Sequence, residues 1–500
     1  MSRTFDKLKQ RLAEITDLRR VGGLLFWDQQ TMMPPGGAST RAEHLATVQR
    51  MAHELFVAEE TGRLLDELRG YEESHDPESF EASLIRISRR DYEKARRVPA
   101  DLRAEISRAG SQGLQVWVEA RARSDFAAFL PALERNVELK HRYIACFDPT
   151  DEPYDILLDD YERGMQTAEV RAIFDEVKAE LVPLIAELRE QDDPTLGDVL
   201  RGDFAIDAQR AFSHEVIDAF GLRPGTWRLD PTAHPFASGT GVDDIRITTF
   251  YYEDNLDSLF ATMHEYGHGV YEHGVDPKLE RTPLGQGVSL GLHESQSRMW
   301  ENLVGRSESF WSHFYPRLQQ TFPAALGSVE LETFFRAINR VHPSLIRIHA
   351  DEVTYNLHVI LRFELEQDIV NGRLELRDLP EIWNERMHEY LGVDVPNDAE
   401  GVLQDMHWSS GSIGYFSTYS LGNVMSVQIW ERVLGDIPDL YEQFERGEFA
   451  PLREWLRDRL HRHGRKFTPA ETLAKVVGGP IDAQPYLRYL RQKHGTAAPV

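Results

Sequence analysis

Cysteine is almost missing from this chain: Cys146 is the only one in 500 residues. That excludes a disulfide framework and a cysteine-rich structural metal site, and it suits a reducing cytosol. No apolar run approaches the roughly 20 residues needed to span a bilayer. The N-terminus, Met1 to Lys7, leads straight into an amphipathic pattern and lacks the hydrophobic region of a signal peptide. A cytoplasmic protein with no membrane partner is expected. Lysine is scarce as well, nine against 47 arginines, and the net charge is −26. Such acidity repels the phosphates of nucleic acid, so no nucleic-acid partner is expected. The one basic cluster, His461 to Lys466, reads as a solvated helix end. High acid content with little lysine points to life in concentrated salt or, equally, to a base composition favouring arginine codons. Internal repeats, low-complexity tracts and linkers are absent too; Asp192-Asp193-Pro194 reads as a loop.

What is present is helix. With 41% hydrophobic residues there is ample core. Residues 4–20, 39–73, 79–98, 100–124, 126–146 and 167–191 carry apolar patterns of period 3.6, and Pro99, Pro131 and Pro149 mark helix starts and breaks. One strand is expected, Asp244 to Tyr252, where Ile245, Ile247, Thr249 and Tyr251 alternate with Arg246, Thr248 and Phe250. Its edge could hydrogen-bond an extended peptide. Without a compositional break, residues 1–500 are expected to form one mostly α unit. Residues about 1–200 would be an N-terminal helical lid or wall and about 201–500 the catalytic part, with a small β element beside the helix described next.

That helix contains His264-Glu265-Tyr266-Gly267-His268, an HExxH segment within an apolar run. Histidines four apart project from one face of a helix, so both can reach one zinc ion with Glu265 beside it as a general base. His214-Glu215 and His388-Glu389 lack the second histidine. A catalytic zinc takes three protein ligands and keeps one position open. The third is sought in Val288 to Asn302, where Glu294, Arg298 and Glu301 follow at i, i+4 and i+7 of an expected helix, joined to the first by the glycine-rich loop Thr282 to Gly287. Glu294 suits a metal, and its spacing equally suits a salt bridge to Arg298.

Further motifs follow in order. Trp27 to Gly37 forms an opening segment; His234-Pro235-Phe236 and Asp244-Ile245-Arg246-Ile247-Thr248 precede HExxH. His293-Glu294-Ser295, Ile346-Arg347-Ile348-His349-Ala350-Asp351 and Gly401 to Trp408 (GxxQDxHW) come after it. Together they resemble the carboxypeptidase Taq family of zinc metallocarboxypeptidases. The resemblance implies a large helical groove-type fold, Glu294 as third ligand beside His264 and His268, Zn2+ (Co2+ or Mn2+ also accepted by such donors), a peptide substrate with a free C-terminus, and a homodimer. One departure is visible: Ser417 stands where the family pattern leads one to expect proline, which would loosen the backbone locally.

The expected chemistry is hydrolysis of the C-terminal peptide bond, with Glu265 moving the proton. Tyr419 first, then His407 and Tyr415, are candidates to stabilise the oxyanion; the tyrosines could instead pack with Phe416 and Trp408. Arg347 is the candidate for the substrate carboxylate, with Arg246 in reserve, because a guanidinium binds a carboxylate bidentately. Arg347 and Asp351 could otherwise pair at i, i+4 on a helix. His234 and His293 are placed behind the ligands, with Asp244, Glu301 and Asp351 as acids able to hold a ligating imidazole. The alternative of the same chemistry is an oligopeptidase or dipeptidyl carboxypeptidase; a helical binding scaffold is disfavoured by the intact base and ligand pair.

Overall fold

The computed structural model describes residues 3–495. The chain divides into two compact units, each drawn from three stretches, so segments before and after residue 200 contribute to both.

The first unit holds the segments up to Arg96, Thr195–Ile338 and Ile429–Pro480. Its opening helix, Arg3–Thr31, buries Phe5, Leu8, Leu12 and Ile15, which lie one turn apart in succession and so form a single apolar stripe. That stripe shares a core with Phe56, Leu64, Leu65, Leu84 and Ile85 from the following helices. The expected helix over 39–73 is interrupted: helices span Ala38–Val57, Glu59–Glu67 and Arg69–Glu73.

A three-stranded sheet lies in this unit. Strands β1 (Trp227–Pro231), β2 (Ala237–Gly241) and β3 (Asp244–Thr249) are ordered β1-β3-β2. β1 runs parallel and β2 antiparallel to β3, with Ile247 opposite Leu229 and Ala237. Because β3 is central, its backbone is already paired on both sides and offers no edge to a peptide; the free edges belong to β1 and β2. Ile245 and Ile247 are completely buried, as their alternation requires. β1 escaped because the Trp227/Leu229 alternation spans only five residues and ends in proline, and β2 because Ala-Ser-Gly-Thr-Gly carries no apolar alternation.

The second unit holds Arg97–Pro194, Asn339–Gln428 and the stretch from Ile481. Helices Ala100–Arg123 and Phe126–Ile144 form a hairpin turned by Ser124 in the left-handed region and capped by Asp125, whose side chain accepts the Ala128 N–H. Pro131 lies inside the second helix rather than at its edge. At the centre is Tyr355–Val370, buried on nearly every side and packed against Thr167–Glu190 and Leu379–Leu391. Among the described residues no helix is long and apolar enough to cross a membrane.

Candidate active site

The HExxH segment sits mid-way along helix Asp257–His273 in the first unit. One face of this helix rests on β3, where a Cβ at Gly269 would lie 2.8 Å from Ile245 Cγ2. Another face meets helix Leu290–Arg298 so closely that a Cβ at Gly267 would stand 2.4 Å from the Gln296 carbonyl oxygen and 2.5 Å from Ser297 Cα. Glycine at 267 therefore permits the approach that brings Glu294 to the histidines.

His264 Nε2 and His268 Nε2 stand 3.6 and 3.5 Å from Glu294 Oε2. Ligand atoms about 2.0–2.2 Å from a tetrahedral zinc lie roughly 3.3–3.6 Å apart, so the three donors fit such an ion. Among the described residues this is the group of His, Cys, Asp and Glu side chains able to hold a metal. Glu294 also makes the salt bridge foreseen as its other role: its Oε1 accepts Arg298 Nε at 2.7 Å, while Oε2 faces the imidazoles. Burial pushes the Glu294 carboxyl up, but Arg298 and His264 outweigh it and hold it well below the usual range.

The ring nitrogens turned away from the donors are all engaged. His264 Nδ1 donates to Glu301 Oε2 at 2.8 Å, and Arg298 Nη1 reaches the same oxygen at 3.1 Å. Although burial opposes it, Arg298 and the His264 contact lower the Glu301 carboxyl to about 2. Glu301 does not continue the preceding helix: Met299–Val304 is a π-helix, which changes the register expected for i+7 and is a common feature of functional sites. His268 Nδ1 lies 2.9 Å from His293 Nδ1, and His293 Nε2 donates to Glu272 Oε1 at 2.6 Å.

Glu265 is buried, with Oε2 lacking any hydrogen-bond partner, and burial raises its carboxyl to about 7.

Other expectations need correction. His234 is exposed in the β1–β2 connection; its neighbour Phe236 does the structural work, exchanging hydrogen bonds with Thr248. Asp244 grips Arg246 through both oxygens (2.9 and 3.0 Å) and supports no ligand. Arg246 in turn lies 4.3 Å over the Trp27 ring, giving the opening segment a packing role. Asp351 accepts the backbone N–H groups of His342, Val353 and Thr354. It does not pair with Arg347, because residues 347–349 form a 3-10 turn and no α-helix spans the two.

In the second unit Arg347 and Arg362 share Asp405. Arg347 Nε and Nη2 reach Asp405 Oδ1 at 3.1 and 2.8 Å, and Arg362 Nε reaches Oδ2 at 2.7 Å. Arg347 also donates to Tyr355 OH at 2.9 Å and lies 5.0 Å from the centre of the Tyr419 ring. Burial pushes the Asp405 carboxyl up, yet the two guanidiniums hold it far below the ordinary range. His407 packs on Tyr415 and Phe416, with Tyr419 OH 3.5 Å from its Nε2. Burial lowers its imidazole to about 4, so the ring is neutral at pH 7. Ser417 is buried at the start of helix Ser417–Asp436, and its hydroxyl donates to the Gly414 carbonyl at 3.5 Å. Proline also favours helix starts, so the residue expected there would fit the same position.

Sequence reasoning missed Glu272, Arg362 and Glu366. Glu272 follows His268 by four residues, a spacing that could have suggested a shared face. Glu366 is fully buried and accepts Tyr154 OH, Trp408 Nε1 and Gly414 N–H; no local pattern marks it.

Two histidines and a glutamate around one point, with a buried carboxylate one residue from a ligand, define a metallopeptidase. The family profile of the carboxypeptidase Taq (M32) metallopeptidases matches residues 7–494, and the chain belongs to that family. It is a metallocarboxypeptidase, a peptide hydrolase. Thermostable carboxypeptidase 1 of Thermus thermophilus is 41% identical over 98% of each chain, and that of Pyrococcus furiosus 36% identical over 98% of each. The crystal structure of the M32 carboxypeptidase from Deinococcus radiodurans R1 is similar at a TM-score of 0.95 and 39% identity, covering 99% of both chains.

Proposed function

We propose that this metallocarboxypeptidase removes residues singly from the free C-terminus of peptides, with one zinc ion held by His264, His268 and Glu294. Cobalt or manganese would suit the same donors. The observation that carries the reading is Glu265, a buried carboxylate with an unpartnered Oε2 next to the His-His-Glu group. When bound, the metal polarises the scissile carbonyl and makes water a nucleophile near neutral pH. Glu265 takes the proton of the water as its oxygen bonds to the carbonyl carbon, then passes that proton to the leaving nitrogen as the tetrahedral carbon collapses and the C–N bond breaks. Arg298 keeps Glu294 ionised and oriented through the 2.7 Å contact.

Arg347 is the proposed reader of the substrate carboxylate. Asp405 occupies its Nε–Nη2 edge and so fixes the plane of the guanidinium. Arg246, clamped by Asp244, remains in reserve. Tyr419, His407 and Tyr415 are proposed donors to the developing oxyanion, Tyr419 first. A cytoplasmic homodimer is the proposed working form, supported by resemblance and by the lone Cys146.

The deciding experiment digests a free-acid peptide and reads the products by mass spectrometry. Successive single-residue losses, abolished by a chelator and restored by zinc, are expected. Dipeptides or internal fragments would instead establish a dipeptidyl carboxypeptidase or oligopeptidase.

A further inference from the structure

We propose that His293 and Glu272 form a relay that fixes the ring tautomer of His268 and thereby sets the protein's affinity for its metal; this rests on the metal-dependent reading above. A carboxylate only accepts hydrogen bonds, so Glu272 Oε1 at 2.6 Å requires the proton on His293 Nε2. His293 Nδ1 faces His268 Nδ1 at 2.9 Å, close enough that one proton must lie between them. Binding a metal takes the lone pair of His268 Nε2, so His293 Nδ1 accepts and His268 carries the shared proton on Nδ1. Its Nε2 is left as a lone pair on the side of Glu294 Oε2, 3.5 Å away, where a metal ligand must be. Without the relay either nitrogen of His268 can hold the proton, and the form protonated at Nε2 cannot bind a metal.

The surroundings are built for this arrangement. Gly287 donates its N–H to the same Glu272 Oε1 at 2.8 Å. A Cβ on Gly287 would stand 2.5 Å from His293 Cδ2, so the position both holds the carboxylate and leaves room for the ring. The Tyr271 ring lies on His293, with centroids 4.8 Å apart. The two ligand histidines are thus held differently: His264 directly by the carboxylate of Glu301, His268 through the His293 imidazole, itself backed by a carboxylate.

The test measures zinc affinity by chelator competition on metal-stripped full-length protein, with the melting temperature of each metal-free variant alongside. His293→Phe keeps a ring against Tyr271 but removes the nitrogens; Glu272→Leu removes the acceptor; Glu272→Gln keeps an oxygen able to accept both donors. The first two should each weaken zinc binding about 10–100-fold. Glu272→Gln should stay close to wild type, and the double variant His293→Phe/Glu272→Leu should bind no more weakly than His293→Phe alone. Zinc affinity unchanged in His293→Phe and Glu272→Leu would overturn the relay, as would effects that add in the double variant. A fall only in metal-free melting temperature, with affinity unchanged, would likewise overturn it. Should His293→Phe not fold, the contrast between Glu272→Leu and Glu272→Gln decides alone. A wild-type protein that takes up no zinc would instead remove the metal reading itself.

Discussion

Glu265 illustrates how one side chain acquires a role from its surroundings. Its carboxylate is buried, one oxygen lacks a partner, and its neighbour His264 faces Glu294. Replacing it with glutamine preserves volume and the ligands while removing the proton carrier. Glu265→Gln should lower kcat by about 10²–10⁴-fold with zinc content unchanged, measured by peptide hydrolysis and metal analysis. For Arg347 the proposed role predicts a split. Arg347→Ala should raise KM for free-acid peptides far more than for C-terminally amidated ones, because Arg362 still neutralises Asp405 and keeps the local fold. At this scale the sequence was informative where spacing alone sets geometry: His264 and His268 four apart on a helix. It was ambiguous where one residue does two things, since Glu294 turns one oxygen to Arg298 and the other to the histidines.

Elements supply the distances that residues cannot. The HExxH helix and Leu290–Arg298 approach closely because Gly267 presents no side chain between them. Gly267→Ala drives a methyl into backbone of the neighbouring helix. It should destabilise the protein by about 1–3 kcal/mol and weaken zinc binding by displacing Glu294, seen as a lower melting temperature and a higher zinc Kd. The Arg347–Asp405–Arg362 cluster predicts a larger effect. Asp405→Asn leaves fully buried Arg362 without its carboxylate, costing about 3–5 kcal/mol in a denaturant titration. Most helices were legible from their 3.6-residue period: Phe80–Arg97, Ala100–Arg123, Phe126–Ile144 and Thr167–Glu190 fall within a few residues of expectation. Strands β1 and β2 were not, since they pair through backbone with little apolar pattern, and neither was the π-helix at Met299–Val304, whose register no side-chain period announces.

Across the whole molecule, buried ionisable groups decide the response to pH. Asp405 is held low by Arg347 and Arg362, and Glu352 by Lys493 and His494, in both cases against burial. Their stabilising contribution is complete above about pH 5, a unit above the unfolded values near 4, and is lost progressively as pH falls below that. Glu366 acts in the opposite sense: burial raises it to about 7, so its contribution is full below about 4.5 and disappears as pH climbs to 7. The melting temperature should therefore fall steeply below pH 5, the more so because buried, neutral His407 and His461 are forced to charge there, and Glu366→Gln should gain melting temperature relative to wild type as pH climbs from 5 to 7. A net charge of −26 adds self-repulsion that salt screens. Melting temperature should rise from low to molar KCl, and activity lost above moderate salt would remove the high-salt habitat. The sequence by itself determined the helical character, the histidine pair, the base beside it and, through its ordered motifs, the family, because these depend on short spacings along the chain. Only the tertiary structure decided that Glu294 lies beside both histidines, that Arg347 pairs with Asp405 instead of Asp351, and that His268 is backed by His293 and Glu272. Those contacts join residues distant along the chain, and packing rather than local periodicity brings them within hydrogen-bonding reach.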